Sequence, residues 1–94
     1  MDLNKFTEKS KNIIFVAHAI ASSNHHQLIE PIHLFRSLLE DEFVKPIFLS
    51  QVSTLTKILE LIDKEIDKLP TLKELDPKQQ SFSKPSLIII QNDF

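Results

Sequence analysis

Two helix starts at a fixed separation are the feature that most limits how this chain can fold. Thr7 is a good helix N-cap, and apolar residues follow it at helical spacing to about Ser22. Pro31 suits the first turn of a second helix, with Glu30 as a weak cap, and we predict that this helix runs to about Asp41. The first part of the chain is therefore predicted to be helical.

Apolar periodicity predicts which faces of these two helices are buried. On the first helix the predicted inward face consists of Ser10, Ile13, Ile14, Ala17, Ile20 and Ala21. On the second helix the predicted buried stripe consists of Leu34, Phe35, Leu38 and Leu39. The small residues at positions 17 and 21 would let a second helix approach closely.

Two further helical segments follow. A short one from about Val44 to Ser50 is predicted to form one or two turns. The next has the clearest periodicity, with Ser53 or Thr54 as its cap and Pro70 as its end. Its apolar positions are Leu55, Ile58, Leu59, Ile62, Ile66 and Leu69.

Several of these motifs together resemble a known family. Phe6-Thr7-Glu8, the loop residue His25, Pro31-Ile32-His33-Leu34 and Leu38-Leu39 resemble the amino-terminal repeat of Clp chaperone ATPases. The opening from Met1 to Ser10 and the pair Leu69-Pro70 are similar to those of ClpB-type disaggregases. The resemblance extends over residues 1–70 and implies an all-α fold: a small orthogonal bundle of about four helices, forming one Clp N repeat.

The resemblance also implies a domain organisation. Residues 1–70 are expected to form the Clp N-type repeat, residues 71–85 a linker, and residues 86–94 the truncated start of a second repeat with a partly ordered tail. The linker is predicted from its Lys, Asp, Gln, Ser and Pro content. Leu87-Ile88-Ile89-Ile90 is apolar and rich in β-branched residues; it could fold back onto the helices, pair with another chain or remain a sticky tail.

The chain contains no glycine, and this matters in two ways. A glycine-rich phosphate loop is excluded, so the chain cannot hydrolyse ATP by a Walker-type mechanism. The family also places a glycine just before the fourth helix, where this chain reads Leu49-Ser50-Gln51-Val52-Ser53-Thr54. We expect the turn there to be rebuilt or the helix to be extended.

Composition excludes several classes of partner. A net charge of -2, without a basic cluster, gives no footprint for nucleic acid or for an anionic membrane. The longest apolar runs are far shorter than the roughly 20 residues of a membrane-spanning helix. The chain has no cysteine, and its polar opening does not resemble a signal peptide, so a cytoplasmic protein is predicted.

No catalytic or metal site is predicted, and no cofactor. The four histidines His18, His25, His26 and His33 suggest a metal centre, but two of them are adjacent and point apart, and no cysteine completes the ligand set. Hydrogen bonding or helix packing is the preferred explanation for them. Nothing in the sequence provides a nucleophile elbow with an oxyanion site, and the chain is therefore predicted not to be an enzyme.

Four residues are candidates for binding protein clients. The resemblance implies a role for the threonine that opens the first helix, matched by Thr7, and for a serine that opens the second repeat, matched by Ser83 or Ser86. Phe15 is a candidate from helix geometry, because it lies about 160° from the Ala17 face. Packing of Phe15 against the missing repeat or the short third segment is the simpler alternative.

Three functional hypotheses remain open. The resemblance implies a protein-interaction module of stress response and protein refolding, which binds unfolded or aggregated clients and lacks ATPase activity. The alternative is a non-functional remnant of a truncated or split ClpB-type gene. A third hypothesis is an adaptor that docks on a full-length Clp ATPase hexamer. Self-association through the C-terminal tail is a further expected risk.

Overall fold

The computed structural model describes residues 7–76 and 78–93, so Phe6 and Phe94 lie outside the described residues. Its elements are α1 (Glu8–Ser23), β1 (Leu28–Ile29), α2 (Pro31–Leu38), a 3-10 helix (Lys45–Gln51), α3 (Val52–Asp67), β2 (Ser81–Phe82) and α4 (Lys84–Asp93). The described residues thus contain four α-helices and one pair of very short strands, which confirms the all-α prediction. The short third segment is the 3-10 helix.

The first helix, α1, begins at its predicted cap and buries most of its predicted face. The Thr7 side chain accepts a hydrogen bond from the Ser10 backbone N–H at 3.1 Å. The buried residues are Ile13, Ile14, Ala17 and Ala21, while Ser10 and Ile20 are half-buried. The two alanines are completely buried, and α2 is the main packing partner of α1.

The turn after α1 contains a backbone conformation that favours glycine. His25 has a φ of 57°, in the left-handed region, where a residue with a Cβ costs about 1–2 kcal/mol. Two hydrogen bonds to Leu72 oppose this cost. The Leu72 N–H donates to the His25 carbonyl at 2.9 Å, and His25 Nδ1 donates to the Leu72 carbonyl at 3.1 Å. The loop after α3 therefore holds this turn in place.

The buried stripe of α2 differs from its prediction. Leu34 and Leu39 are buried as expected, but Phe35 is 46% exposed and Leu38 is 36% exposed. The polar residues His33 and Ser37 are buried instead. Residues 33, 34 and 37 share one helix face, and both polar side chains on it have hydrogen-bond partners, so that face is the one that turns inward. The helix also ends at Leu38, earlier than the predicted Asp41.

The buried Ser37 provides a first test of this packing. Its hydroxyl donates to the Ile13 carbonyl at 2.7 Å and so joins α2 to α1. Because a buried hydrogen bond is lost, Ser37→Ala is expected to lower the free energy of unfolding by about 1 kcal/mol, measured by urea denaturation. The exposed Ser50 is the matched control, and Ser50→Ala should have almost no effect. Equal effects of the two substitutions would contradict this packing.

The junction between the 3-10 helix and α3 is built without glycine. Gln51 has φ −132° and ψ 40°, and α3 follows it directly from Val52. The predicted caps Ser53 and Thr54 are wrong, because both residues lie inside the first turn of α3. Ile62 and Ile66 are buried on α3 and pack with Leu39 in one of the two cores. The half-buried residues of this core are Ile20, Ile32, Val44, Phe48, Leu55, Ile58 and Leu59.

The C-terminal segment folds back onto the domain, the first of the three fates predicted for it. β2 pairs in parallel with β1, with Leu28 opposite Ser81 and Ile29 opposite Phe82. α4 begins at Lys84 and packs mainly against α2. Its Ile90 is completely buried in a second core whose other members are Ile14, Ala17, Ala21, Ile29 and Leu34. The division of the chain at residues 70 and 85 stays a prediction.

Over residues 7–76 and 78–93, no helix combines the length and apolarity needed to cross a membrane.

Candidate functional site

Thr7 and Phe15, two of the four candidate binding residues, lie on the surface of α1. Thr7 is exposed, and its hydroxyl is already engaged in capping the helix. The Phe15 ring is 70% exposed, so neither the 3-10 helix nor any other described element covers it. An exposed aromatic ring on a rigid helix can contact an apolar side chain of a partner.

Ser83 and Ser86, the other two candidates, are buried at the start of α4. The Ser83 hydroxyl accepts a hydrogen bond from the Ser86 N–H at 3.3 Å and donates to the Ser86 hydroxyl at 3.1 Å. The Ser83 N–H donates to the Ile29 carbonyl at 3.0 Å. In this structure the two serines form a helix cap inside the domain, whereas Thr7 and Phe15 face solvent.

An apolar groove lies between α2 and α4. It encloses about 160 Å³. Its lining residues are Pro31, Leu34, Phe35, Leu38 and Ile89. The partial exposure of Phe35 and Leu38 is explained by their position in this groove. The groove was not predicted because it depends on the position of α4, which was left open among three possibilities.

A larger and more polar cleft lies between α1 and the turn after α2. It encloses about 510 Å³. Lys9 Nζ lies 3.2 Å from Asp41 Oδ2 and 3.2 Å from the centre of the Phe43 ring. The same carboxylate accepts hydrogen bonds from the Phe43 and Val44 N–H groups at 2.9 and 3.2 Å. Burial opposes ionisation of Asp41, but these donors outweigh it and lower its pKa.

Two of the four histidines form a buried pair. His26 Nδ1 lies 2.9 Å from His33 Nε2, and the Glu30 backbone N–H donates to His33 Nδ1 at 2.8 Å. Since His33 Nδ1 is an acceptor, its proton is on Nε2 and is donated to His26. Burial is the main cause that lowers the pKa of His33 to about 4, and the neighbouring His26 lowers it further, against the opposing effect of Glu30. Burial likewise lowers the pKa of His26, against the opposing charge of Asp67.

Within the described residues, no group of three His, Asp or Glu side chains could hold a metal ion. The hydrogen bond between the two rings connects the loop before β1 to α2.

Comparison with known proteins gives relatives of one kind. The chaperone protein ClpB of Rickettsia felis is 29% identical over 75 residues, which cover 78% of this chain and 9% of the relative. ClpB of Rickettsia prowazekii is 26% identical over 93 residues, covering 97% of this chain and 11% of the relative. ClpB of Bacillus cereus is 43% identical over 42 residues, covering 45% and 5%. The chain spans about a tenth of the length of the first two relatives.

No solved structure matches the chain significantly. A family model, described as the Clp repeat (R) N-terminal domain, matches residues 5–92. This match includes α1 to α3 and also β2 and nearly all of α4. The chain therefore belongs to the Clp repeat (R) N-terminal domain family, as its helix starts and the Pro31-Ile32-His33-Leu34 motif indicated.

Proposed function

We propose that the domain is a protein-interaction module that binds apolar segments of unfolded or aggregated proteins and has no ATPase activity of its own. Its relatives carry the name of a chaperone, which supports a role in handling other proteins. The absence of glycine supports the second part of the proposal, because a phosphate-binding loop needs glycine. The lack of cysteine supports action in the cytoplasm.

The observation that carries this proposal is the amount of apolar surface on a domain that is otherwise well packed. Phe15 on α1 and the α2–α4 groove both present apolar side chains to solvent. Large exposed apolar residues also occur along the 3-10 helix and the start of α3, namely Ile47, Leu49 and Val52. Such surface on a soluble domain is typical of sites that bind other proteins.

Phe15 is the residue that we expect to contribute most on α1. Phe15→Ala should weaken binding to an unfolded test protein about tenfold, since loss of a contacting aromatic side chain removes about 1–2 kcal/mol. The measurement is fluorescence anisotropy with dye-labelled, carboxymethylated α-lactalbumin, which cannot refold. Thr7→Ala, by contrast, is expected to act chiefly through the loss of the α1 cap.

Leu61 offers a matched control, because it is an exposed apolar residue on a different helix. Leu61→Ala should leave binding unchanged while removing a similar apolar side chain. Equal weakening by both variants would mean nonspecific hydrophobic adhesion, and no weakening by Phe15→Ala would remove Phe15 from the proposed surface.

Unfolding behaviour distinguishes this module from the alternative, a remnant without function. A module with the two cores described above should unfold in one cooperative step by circular dichroism. A broad transition with indiscriminate dye binding would favour the remnant.

Docking on a full-length Clp hexamer is tested by adding purified ClpB and following the mass by light scattering.

A further inference from the structure

The backbone around His26 connects three parts of the domain. Its N–H donates to the Ala21 carbonyl of α1 at 2.9 Å, and its carbonyl accepts from Gln80 Nε2 at 2.8 Å. Gln80 Oε1 in turn accepts from the Ser22 hydroxyl at 2.7 Å. The N–H groups of Ser81 and Ser83 donate to the carbonyls of the same loop and strand, at Gln27 and Ile29. The C-terminal segment is thus held by hydrogen bonds to residues next to His26.

The side-chain pair has no arrangement that accommodates an additional proton. The Glu30 N–H and the His26–His33 contact together supply two hydrogen bonds that share three ring nitrogens. If His33 is protonated on Nδ1, two N–H groups face each other at Glu30. If His26 is protonated on Nδ1, the new N–H group faces the N–H group at His33 Nε2. If the His33 proton moves to Nδ1 to avoid this, it faces the Glu30 backbone N–H instead. Either proton therefore removes a hydrogen bond in a buried place.

We propose that protonation of the His26–His33 pair releases the C-terminal segment, residues 80–93, from the rest of the domain. The charged groups that face the pair are Glu30 at the start of α2 and Asp67 on α3. α1 and the C-terminal segment approach His26 through uncharged groups, the Ala21 carbonyl and the Gln80 amide. Rotation of the His26 ring to separate the two protons displaces its loop, and the hydrogen bonds to residues 80, 81 and 83 are lost.

Release of this segment changes what the domain exposes. Ile90 leaves its core, and the apolar residues of α2 that line the groove, Leu34 among them, then face solvent together with Ile29. The core that contains Ile90 includes no buried residue of α3. The buried residues of α3 instead pack with Leu39 in the other core, and α3 also contacts the 3-10 helix. A local opening of β2 and α4, with α3 still folded, is the expected acidic state.

Amide hydrogen exchange on the full chain tests this proposal. Protection factors, corrected for the intrinsic effect of pH, should fall at least about tenfold in residues 81–93 between pH 7.5 and pH 5, and at pH 5 they should lie well below those of α3. His33→Gln keeps an acceptor for the Glu30 N–H and removes a titrating ring, so the fall should be much smaller. His18→Gln, which changes a histidine outside the pair, should behave like the unmodified chain.

A second measurement on the unmodified chain holds even if His33→Gln does not fold. Nitrogen NMR of the histidine rings should show His26 and His33 as neutral, each with its proton on Nε2, in every molecule whose α4 is protected. The imidazolium signals should grow in step with the loss of α4 protection. Ordinary titration of both rings while α4 keeps its protection would overturn the proposal, and so would protection of α4 at pH 5 that equals the protection of α3.

Discussion

Replacement of Ile90 by alanine is expected to lower the free energy of unfolding by about 2–5 kcal/mol, the range for removing a large aliphatic side chain from a packed core. Ile90 is completely buried, and its core partners come from α1, β1 and α2. For a chain of 94 residues this loss is a large part of the total stability. The C-terminal segment, in this structure, is part of the core.

Ile88 is the matched control, because it is the same residue type on the same helix but 59% exposed. Ile88→Ala should change the free energy of unfolding by less than about 0.5 kcal/mol. Urea denaturation followed by circular dichroism compares the two variants. If both have small effects, α4 does not pack against the domain in solution, and residues 80–93 are the sticky tail that was one of the alternatives.

The first and last helices of the repeat could be predicted because their signals are local. Thr7 caps α1 through a residue three positions away, and the apolar spacing of α3 places Ile62 and Ile66 in the core. Such patterns depend only on helix geometry and on the burial of one face. The same reasoning failed at the start of α3, because the 3-10 helix runs directly into it and no side-chain cap is needed.

The buried stripe of α2 could not be predicted from apolarity alone. His33 and Ser37 are polar, yet both are buried because partners from other parts of the chain, His26 and the Ile13 carbonyl, satisfy them. Ile13 lies 24 residues before Ser37 in the sequence. His26 lies 7 residues before His33, in the loop that follows the turn after α1. Phe35 was assigned to the core from the apolar spacing of the helix, but it lies at the groove that α4 completes.

A local signal for the C-terminal fold does exist in the sequence. The strand residues Ile29 and Phe82 are paired, and a similar pattern follows each of them. Glu30 and His33 lie one and four positions after Ile29. Ser83 and Ser86 lie one and four positions after Phe82. Each pair joins the N-cap position of a helix to the third residue within it. A proline within the first two helical positions completes the similarity, at Pro31 and Pro85. This repeated strand and cap could have indicated that residues 86–94, predicted as the start of a second repeat, pack against the first helices.

The other large effect expected is a loss of stability at mildly acidic pH. The pKa of His33 is lowered to about 4 in the folded protein, while an unfolded chain has the ordinary value of 6.5. Between these two pKa values the unfolded state binds more protons than the folded state. The contribution of neutral His33 to the free energy of unfolding is therefore fully present above pH 6.5 and is lost as the pH falls toward 4. A single histidine with this shift costs about 2 kcal/mol of stability between pH 7 and pH 5. The lowered pKa of His26 acts in the same direction.

Urea denaturation at pH 7 and pH 5 measures this loss, and His33→Gln should reduce the difference between the two pH values substantially. The pKa values of Glu40 and Asp41 are lowered, so the contributions of these two carboxylates to stability change mainly below pH 5. His18→Gln, which replaces a histidine outside the pair, is again the control variant for this measurement. Unchanged pH dependence in His33→Gln would mean that another group is responsible. Residues 81–93 that are much less protected than α3 in hydrogen exchange at pH 5 would identify local release as the main acidic event.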